Sequence, residues 1–307
     1  MRGWAIPAPD PTEHGVPPMS RPTDPAQPGF DARRFKAMER AGFNRIAARY
    51  ADGAHLRADL AEALLEAAAL APGQRVLDLA SGPGLLAGQA ALRVAPGGSV
   101  LATDIAEGML AEGARRCGEH ADTPCFAAAD AEHLCLADAS MDRVLAGLAL
   151  FIFPHPERAL AEMHRVLVPG GRVALSAWGA RETVPLIHRA QDTIARLLPP
   201  PKVPRPSVFR YGQPDVLAAT LAAAGFNGID IRPCAFSCHF ADAEAYWQAF
   251  LDLAGGAAEA LGRLPEPIQA QLRAAVADDL AHHCCDDGRG GFLVPARTLV
   301  ASARRPG

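Results

Sequence analysis

The chain has 307 residues, of which half are hydrophobic and about a fifth charged, and its formal net charge is −4. That mildly acidic balance offers no basic face for nucleic acid, and no apolar run reaches the roughly 20 residues a membrane-spanning helix requires. Seven scattered cysteines repeat no metal-finger spacing and suggest no disulfide framework, so a cytoplasmic protein with reduced thiols is expected.

Residues 1–30 are Pro-rich, polar and without periodicity, and are read as a disordered arm in which Met19 is an alternative start. Phe43, Ile46, Ala47 and Tyr50 then recur at helical spacing, and a second helix is predicted over 56–70. The segment 74–79 is near-continuously apolar, as in a strand buried on both faces. It is followed by a helix over 85–95, a strand over 99–103, a helix over 107–117 and short strands over 124–129 and 141–147. A helix over 156–167 stops at Pro169-Gly170-Gly171, and 172–178 is the fifth strand. This alternation predicts an α/β fold, a Rossmann-like, doubly wound parallel sheet with right-handed crossovers. Ligands then bind at the carboxyl ends of the strands.

Beyond Trp178 the rhythm breaks into helices over 181–198, 213–224 and most of 241–281, with strands over 229–236 and 292–303. Residues 31–178 are thus read as the nucleotide-binding core with its N-terminal helices. Residues 179–307 supply cover helices and the last two strands of the same domain.

The turn after the first strand reads Asp78-Leu79-Ala80-Ser81-Gly82-Pro83-Gly84-Leu85-Leu86-Ala87. From Gly82 it satisfies the G-x-G-x-x-A dinucleotide pattern, which alone is weak evidence. Asp78 would repel a pyrophosphate, and Pro83 removes a backbone N–H that a phosphate cradle needs. A cofactor carrying a sulfonium and an ammonium has the opposite preference. Such a pair with a carboxylate at 4 Å is worth about 4 kcal/mol before desolvation at an effective dielectric near 20. Asp104, 20 residues past Gly84, can take both ribose hydroxyls. Asp130, in Asp130-Ala131-Glu132, can accept from an adenine amino group. Each acid alone could be a surface carboxylate or a helix cap; their order at successive strand ends favours an adenosyl cofactor.

These segments, with LATDIAEGML, AADAEHL and MDRVLAGLALFIFPHPERALAEMHRVLVPGGRV, resemble the class I S-adenosylmethionine-dependent methyltransferases. The ubiquinone/menaquinone-methyltransferase-like branch is the most similar. The resemblance covers about 43–178 well and implies a seven-stranded sheet whose last strand is antiparallel, with S-adenosylmethionine as cofactor. It assigns Asp78, Ala80, Ser81, Gly82 and Gly84 to the methionine and ribose portion, and Asp104 to the ribose. Ile105 and Met109 would flank the adenine, Asp130, Ala131 and Glu132 hold its edge, and Gly147 and Leu148 lie beneath the methionine. Tyr50 would close over the cofactor, although core packing is an equal reading of that residue.

Phe151-Ile152 stands where many relatives carry polar residues, which makes the acceptor pocket greasy; Phe151, Trp178 and Tyr211 are its candidate walls. His155 is the candidate general base, against the plainer reading of a helix-entry residue. The expected reaction is methyl transfer to a small, hydrophobic or aromatic molecule, at oxygen rather than carbon or nitrogen. Alternatives are other chemistry with the same cofactor (cyclisation, decarboxylation or hydroxylation) and, less favoured, a nicotinamide-dependent oxidoreductase. Neighbouring ligands in His282-His283-Cys284-Cys285-Asp286-Asp287 point in divergent directions, so no metal site is expected there. The assembly is open, with a homodimer as the expectation.

Overall fold

The structure is a computed structural model and describes residues 30–118, 123–201, 204–285 and 290–307; the expected N-terminal arm lies almost wholly outside the described residues. The elements run α1 (Ala32–Asp52), α2 (Ala58–Ala68), β1 (Arg75–Leu79), α3 (Leu85–Val94), β2 (Ser99–Asp104), α4 (Glu107–Cys117), β3 (Cys125–Ala128) and β4 (Met141–Ala146). They continue with α5 (Pro156–Val166), β5 (Leu167–Trp178), α6 (Pro185–Leu197), α7 (Pro214–Ala223) and β6 (Asn227–Phe240). The chain ends in α8 (Ala243–Leu253), α9 (Gly256–Gly262), α10 (Glu266–Leu280) and β7 (Phe292–Arg304).

The seven strands form one sheet in the order β3-β2-β1-β4-β5-β7-β6, parallel except for β7, which runs antiparallel to both neighbours. The central strands lack an alternating pattern because helices cover both faces: Val76, Leu77, Leu79, Val144, Leu145, Ala146 and Val173 to Leu175 are all buried. The chain steps outward from β1 to β3 and then returns to β4 on the other side of β1. The loops after β1 and β4 therefore diverge, and the crevice between them lies over the ends of β1, β2 and β4.

Helix signals follow local chemistry. The Asp31 side chain caps α1 by accepting from the Arg34 amide at 2.9 Å, and Pro156 opens α5 at a position where its missing N–H costs nothing. In α4, Glu107 sits in the first turn and Arg115 and Arg116 in the last, each complementing the helix dipole.

Two regions differ from the sequence reading. Pro169-Gly170-Gly171 lies inside β5 as an irregularity of the strand: Met141 pairs with Leu167, then the register shifts so that Arg143 pairs with Arg172. The extra residues are held against the chain end, where the Gly170 amide donates to Arg305 O at 3.0 Å and the Arg305 amide to Gly171 O at 2.9 Å. Strand β6 continues four residues past the expected end at 236. Trp178 at the end of β5 pairs with Thr298, which also pairs with Cys234. Residues 235–240 and 292–297 consequently overhang the sheet as a two-stranded flap. Among the described residues no helix is long and apolar enough to cross a membrane.

Candidate functional site

The loop after β1 makes a left-handed passage, with Ala80 at φ 54°, Gly82 at φ 55° and Gly84 at φ 76°. Glycine is required at Gly84, because a Cβ there would stand 2.9 Å from Phe126 Cε1 as well as being strained by its φ. The Ser81 amide donates to Thr103 O at 2.9 Å, and the Gly84 amide to Ser81 O at 3.1 Å. Asp104 fixes the rest: its Oδ2 accepts from the Gly82 amide at 2.9 Å and its Oδ1 from the Ala106 amide at 2.8 Å. Burial raises the Asp104 pKa, opposed by the N–H groups of Ala106, Gly82 and Ile105.

Asp78 is wholly buried beneath this loop, and neither of its carboxylate oxygens has a hydrogen-bond partner among the described residues. Loss of water pushes its pKa up to about 8, the Asp104 charge adding to the shift and the nearby Ala87 N–H opposing it. A raised acid pKa means that the fold is fully stable with respect to this group below the unfolded value near 3.9. That stability is lost progressively as pH rises toward 8. In the cofactor-free protein, Asp78→Asn should therefore remove a downward slope in stability between pH 5 and 8, of at most about 1.4 kcal/mol per pH unit. Urea midpoints of both proteins across that range check this; parallel pH profiles would show that Asp78 does not titrate there.

At the ends of β2 and β3, Ile105, Ala128, Ala129 and Asp130 face Lys36, Ala37 and Arg40 of α1 across a cavity of about 310 Å³. Lys36 Nζ donates to both oxygens of Asp130, at 3.0 and 2.7 Å, and to Glu132 Oε2 at 2.7 Å. Glu132, which is buried, also accepts from the His155 amide at 2.8 Å. Ile105 lines this cavity. Met109 lies behind it instead, buried with Ile46, Ala47 and Ala106 between α1 and α4. Ala131 is buried beside Glu132.

After β4, a Cβ on Gly147 would meet Leu86 Cδ1 at 2.7 Å; Leu148 adopts φ 50° while its amide donates to the buried Ser176 Oγ at 3.0 Å. Phe151, Trp178 and Tyr211 are all buried in the main apolar core. Arg210, beside Tyr211, donates to Leu150 O at 3.0 Å and ties its segment to the turn after β4. None of the three lines either cavity described here. His155 lies immediately before α5, its ring turned to Glu157 Oε1 at 3.6 Å, and it too lines neither cavity. Of the His282–Asp287 run, Asp286 and Asp287 lie outside the described residues.

A second cavity, of about 390 Å³, opens between the end of α1 with residues 53–57, the overhanging end of β6 and α8. Tyr50 is shared. Its ring lies over the glycine loop, with Cε1 3.6 Å from where a Gly82 Cβ would be, and it also lines this cavity. Sequence reasoning passed over Lys36 and Arg57; the one available signal was that Lys36 is one of only two lysines in the chain.

The residues present fit a cationic nucleoside cofactor. Asp104 accepts only from backbone N–H groups, Asp78 has two orphaned oxygens, and a cavity lined in part by Ile105, Ala128 and Ala129 adjoins Asp130.

The chain matches the methyltransferase domain family over residues 77–175. It is 34% identical to a demethylmenaquinone methyltransferase of Clavibacter sepedonicus over 178 residues, covering 53% of this chain and 71% of that protein. It is 44% identical over 106 residues to a ubiquinone/menaquinone biosynthesis C-methyltransferase of Bordetella parapertussis, covering 34% of this chain and only 41% of that protein. A solved Bacillus halodurans structure, described as a candidate methyltransferase, superposes with a TM-score of 0.56. It is 18% identical and covers 80% of this chain and 99% of its own.

Proposed function

We propose, for a chain that belongs to the class I S-adenosylmethionine-dependent methyltransferases, that the acceptor is a small hydrophobic or aromatic molecule. The observation that carries this reading is Tyr50, whose one ring covers the glycine loop and forms a wall of the 390 Å³ cavity. A cavity of that size suits a single-ring ligand.

In this reading, Asp104 takes the ribose hydroxyls, while Ile105, Asp130, Ala131 and Glu132 form the adenine end with Lys36 bridging the two acids. Ala80 to Gly84 pass beneath the methionine end, with Gly147 and Leu148 alongside. Buried Asp78 and Asp104 are ionised at a cost that a bound cation would offset and a phosphate would increase, which favours a cation over a phosphate. Bound S-adenosylmethionine supplies a methyl carbon already activated by its sulfonium. The chain then has to align the acceptor and exclude water; Tyr50 excludes it on the side of the glycine loop.

The methylated atom is read as a hydroxyl oxygen, with the adjacent ring carbon as the competing outcome, since one relative is named a demethylmenaquinone methyltransferase and the other a ubiquinone/menaquinone biosynthesis C-methyltransferase. His155, with its ring against Glu157, is the base candidate of this reading only where the acceptor must lose a proton. All seven cysteines are free thiols, consistent with a cytoplasmic enzyme.

Methyl-labelled S-adenosylmethionine, incubated with the full chain and a panel of phenols, quinones and amines, is the test. Label is expected in a phenolic or quinol product, and mass fragmentation distinguishes oxygen from carbon. Transfer confined to polar amines would overturn the acceptor class. Consumption of cofactor without label in any product would point to other chemistry on the same fold.

A further inference from the structure

Arg57 lines the 390 Å³ cavity and is only 7% exposed, yet it is poorly partnered. Its guanidinium lies 4.4 Å from the Tyr50 ring centroid, and Nη2 reaches Tyr50 O at the long distance of 3.4 Å. Among the described residues no carboxylate stands within ion-pair distance of it, whereas the other charged residues of the wall are matched. Arg49 Nε donates to Asp252 Oδ1 at 2.8 Å, and Asp52 pairs with Arg116 at 2.6 Å. The two histidines of the wall are engaged as well, His55 with Asp52 O at 2.9 Å and His239 with Gly290 O at 3.0 Å.

A guanidinium has five N–H donors in a planar fork and keeps its charge at any accessible pH. The Arg57 donors not used by Tyr50 O open on the cavity, where water or a ligand has to complete them. The rest of the wall is largely apolar: Leu56, Phe240, Ala245, Ala249 and Leu253.

From this juxtaposition we infer that the cavity takes an aromatic carboxylate, its two oxygens on the Arg57 fork and its ring against Leu56 and Phe240. This rests on the methyltransferase reading and sharpens it: the acceptor is anchored by its acid group at Arg57, and its reactive edge faces Tyr50 and the glycine loop. Bidentate guanidinium–carboxylate pairing in a desolvated site is what distinguishes an acid from its neutral amide.

The test uses the full chain loaded with S-adenosylhomocysteine and two probes of equal shape, 4-hydroxybenzoate and 4-hydroxybenzamide, titrated calorimetrically. The benzoate is expected to bind at least tenfold more tightly. In Arg57→Gln that preference should fall to near unity, while Arg57→Lys keeps part of it as a charge without the fork. Circular dichroism and S-adenosylhomocysteine affinity establish that both variants are folded. Equal affinity for the two probes, no binding of either, or a preference that survives Arg57→Gln would overturn the proposal. Should S-adenosylhomocysteine itself fail to bind, the methyltransferase reading of the site fails, and the benzoate-to-benzamide ratio measured without it still decides the role of Arg57.

Discussion

Asp104→Ala is expected to weaken S-adenosylhomocysteine binding by about 30- to 1000-fold while the protein remains folded. In the proposed role, Asp104 is a charged acceptor for two ribose hydroxyls, and its removal costs about 1.5–3 kcal/mol per hydrogen bond to a charged group with incomplete additivity. The variant also releases the amides of Gly82 and Ala106, which Asp104 now holds at 2.9 and 2.8 Å. Because burial already disfavours the Asp104 charge, the net cost to stability is smaller than two lost bonds suggest, about 1–2 kcal/mol. Asp104→Asn should be no better than alanine. One of its two positions would present an NH₂ group toward a backbone N–H, setting donor against donor. Calorimetric titration together with a urea melt separates the two effects. A folded Asp104→Ala protein with unchanged cofactor affinity would place the ribose elsewhere.

The loop and the two acids at the ends of β2 and β3 could be found in the sequence because each is local: a strand, a turn and a carboxylate at a fixed offset. The strands of the sheet centre announced themselves by continuous apolar runs, which burial on both faces demands. What the sequence withheld is contact between distant segments. Lys36 reads as one more polar residue on an amphipathic helix until α1 is packed on α4, which brings it to Asp130, 94 residues away in the chain, in the loop after β3. Arg57 is likewise indistinguishable from a surface arginine until the flap and α8 enclose it. The flap did leave a trace: Phe236, Cys238 and Phe240 alternate with exposed Ser237 and His239, a period-2 signal running past the expected strand end. Met109 lies on α4 as expected, buried with Ile46, Ala47 and Ala106.

Lys36→Met is expected to lower stability by about 3 kcal/mol, or roughly 6 °C in melting temperature for a chain of this size. The two ion pairs it loses are unequal. Asp130 has a side chain 31% exposed, so its share is small. The Glu132 side chain is 1% exposed and would be left as a buried charge facing only the His155 amide. Glu132 therefore accounts for most of the loss, and a double variant, Lys36→Met with Glu132→Leu, should recover more than half of it, because removing both members of a buried pair is far less costly than removing one. A double variant no more stable than Lys36→Met would mean that α1 is held chiefly by its other contacts, Arg40 with Glu107 and Asn44 Oδ1 with the Gly108 amide at 2.7 Å. Those contacts remain in every variant, so α1 stays seated on α4. Cofactor affinity should then change by less than tenfold in Lys36→Met, since α1 keeps its place and, in the proposed role, Asp130 is left free to accept from an adenine amino group. A loss above a hundredfold would instead make Lys36 a direct cofactor contact.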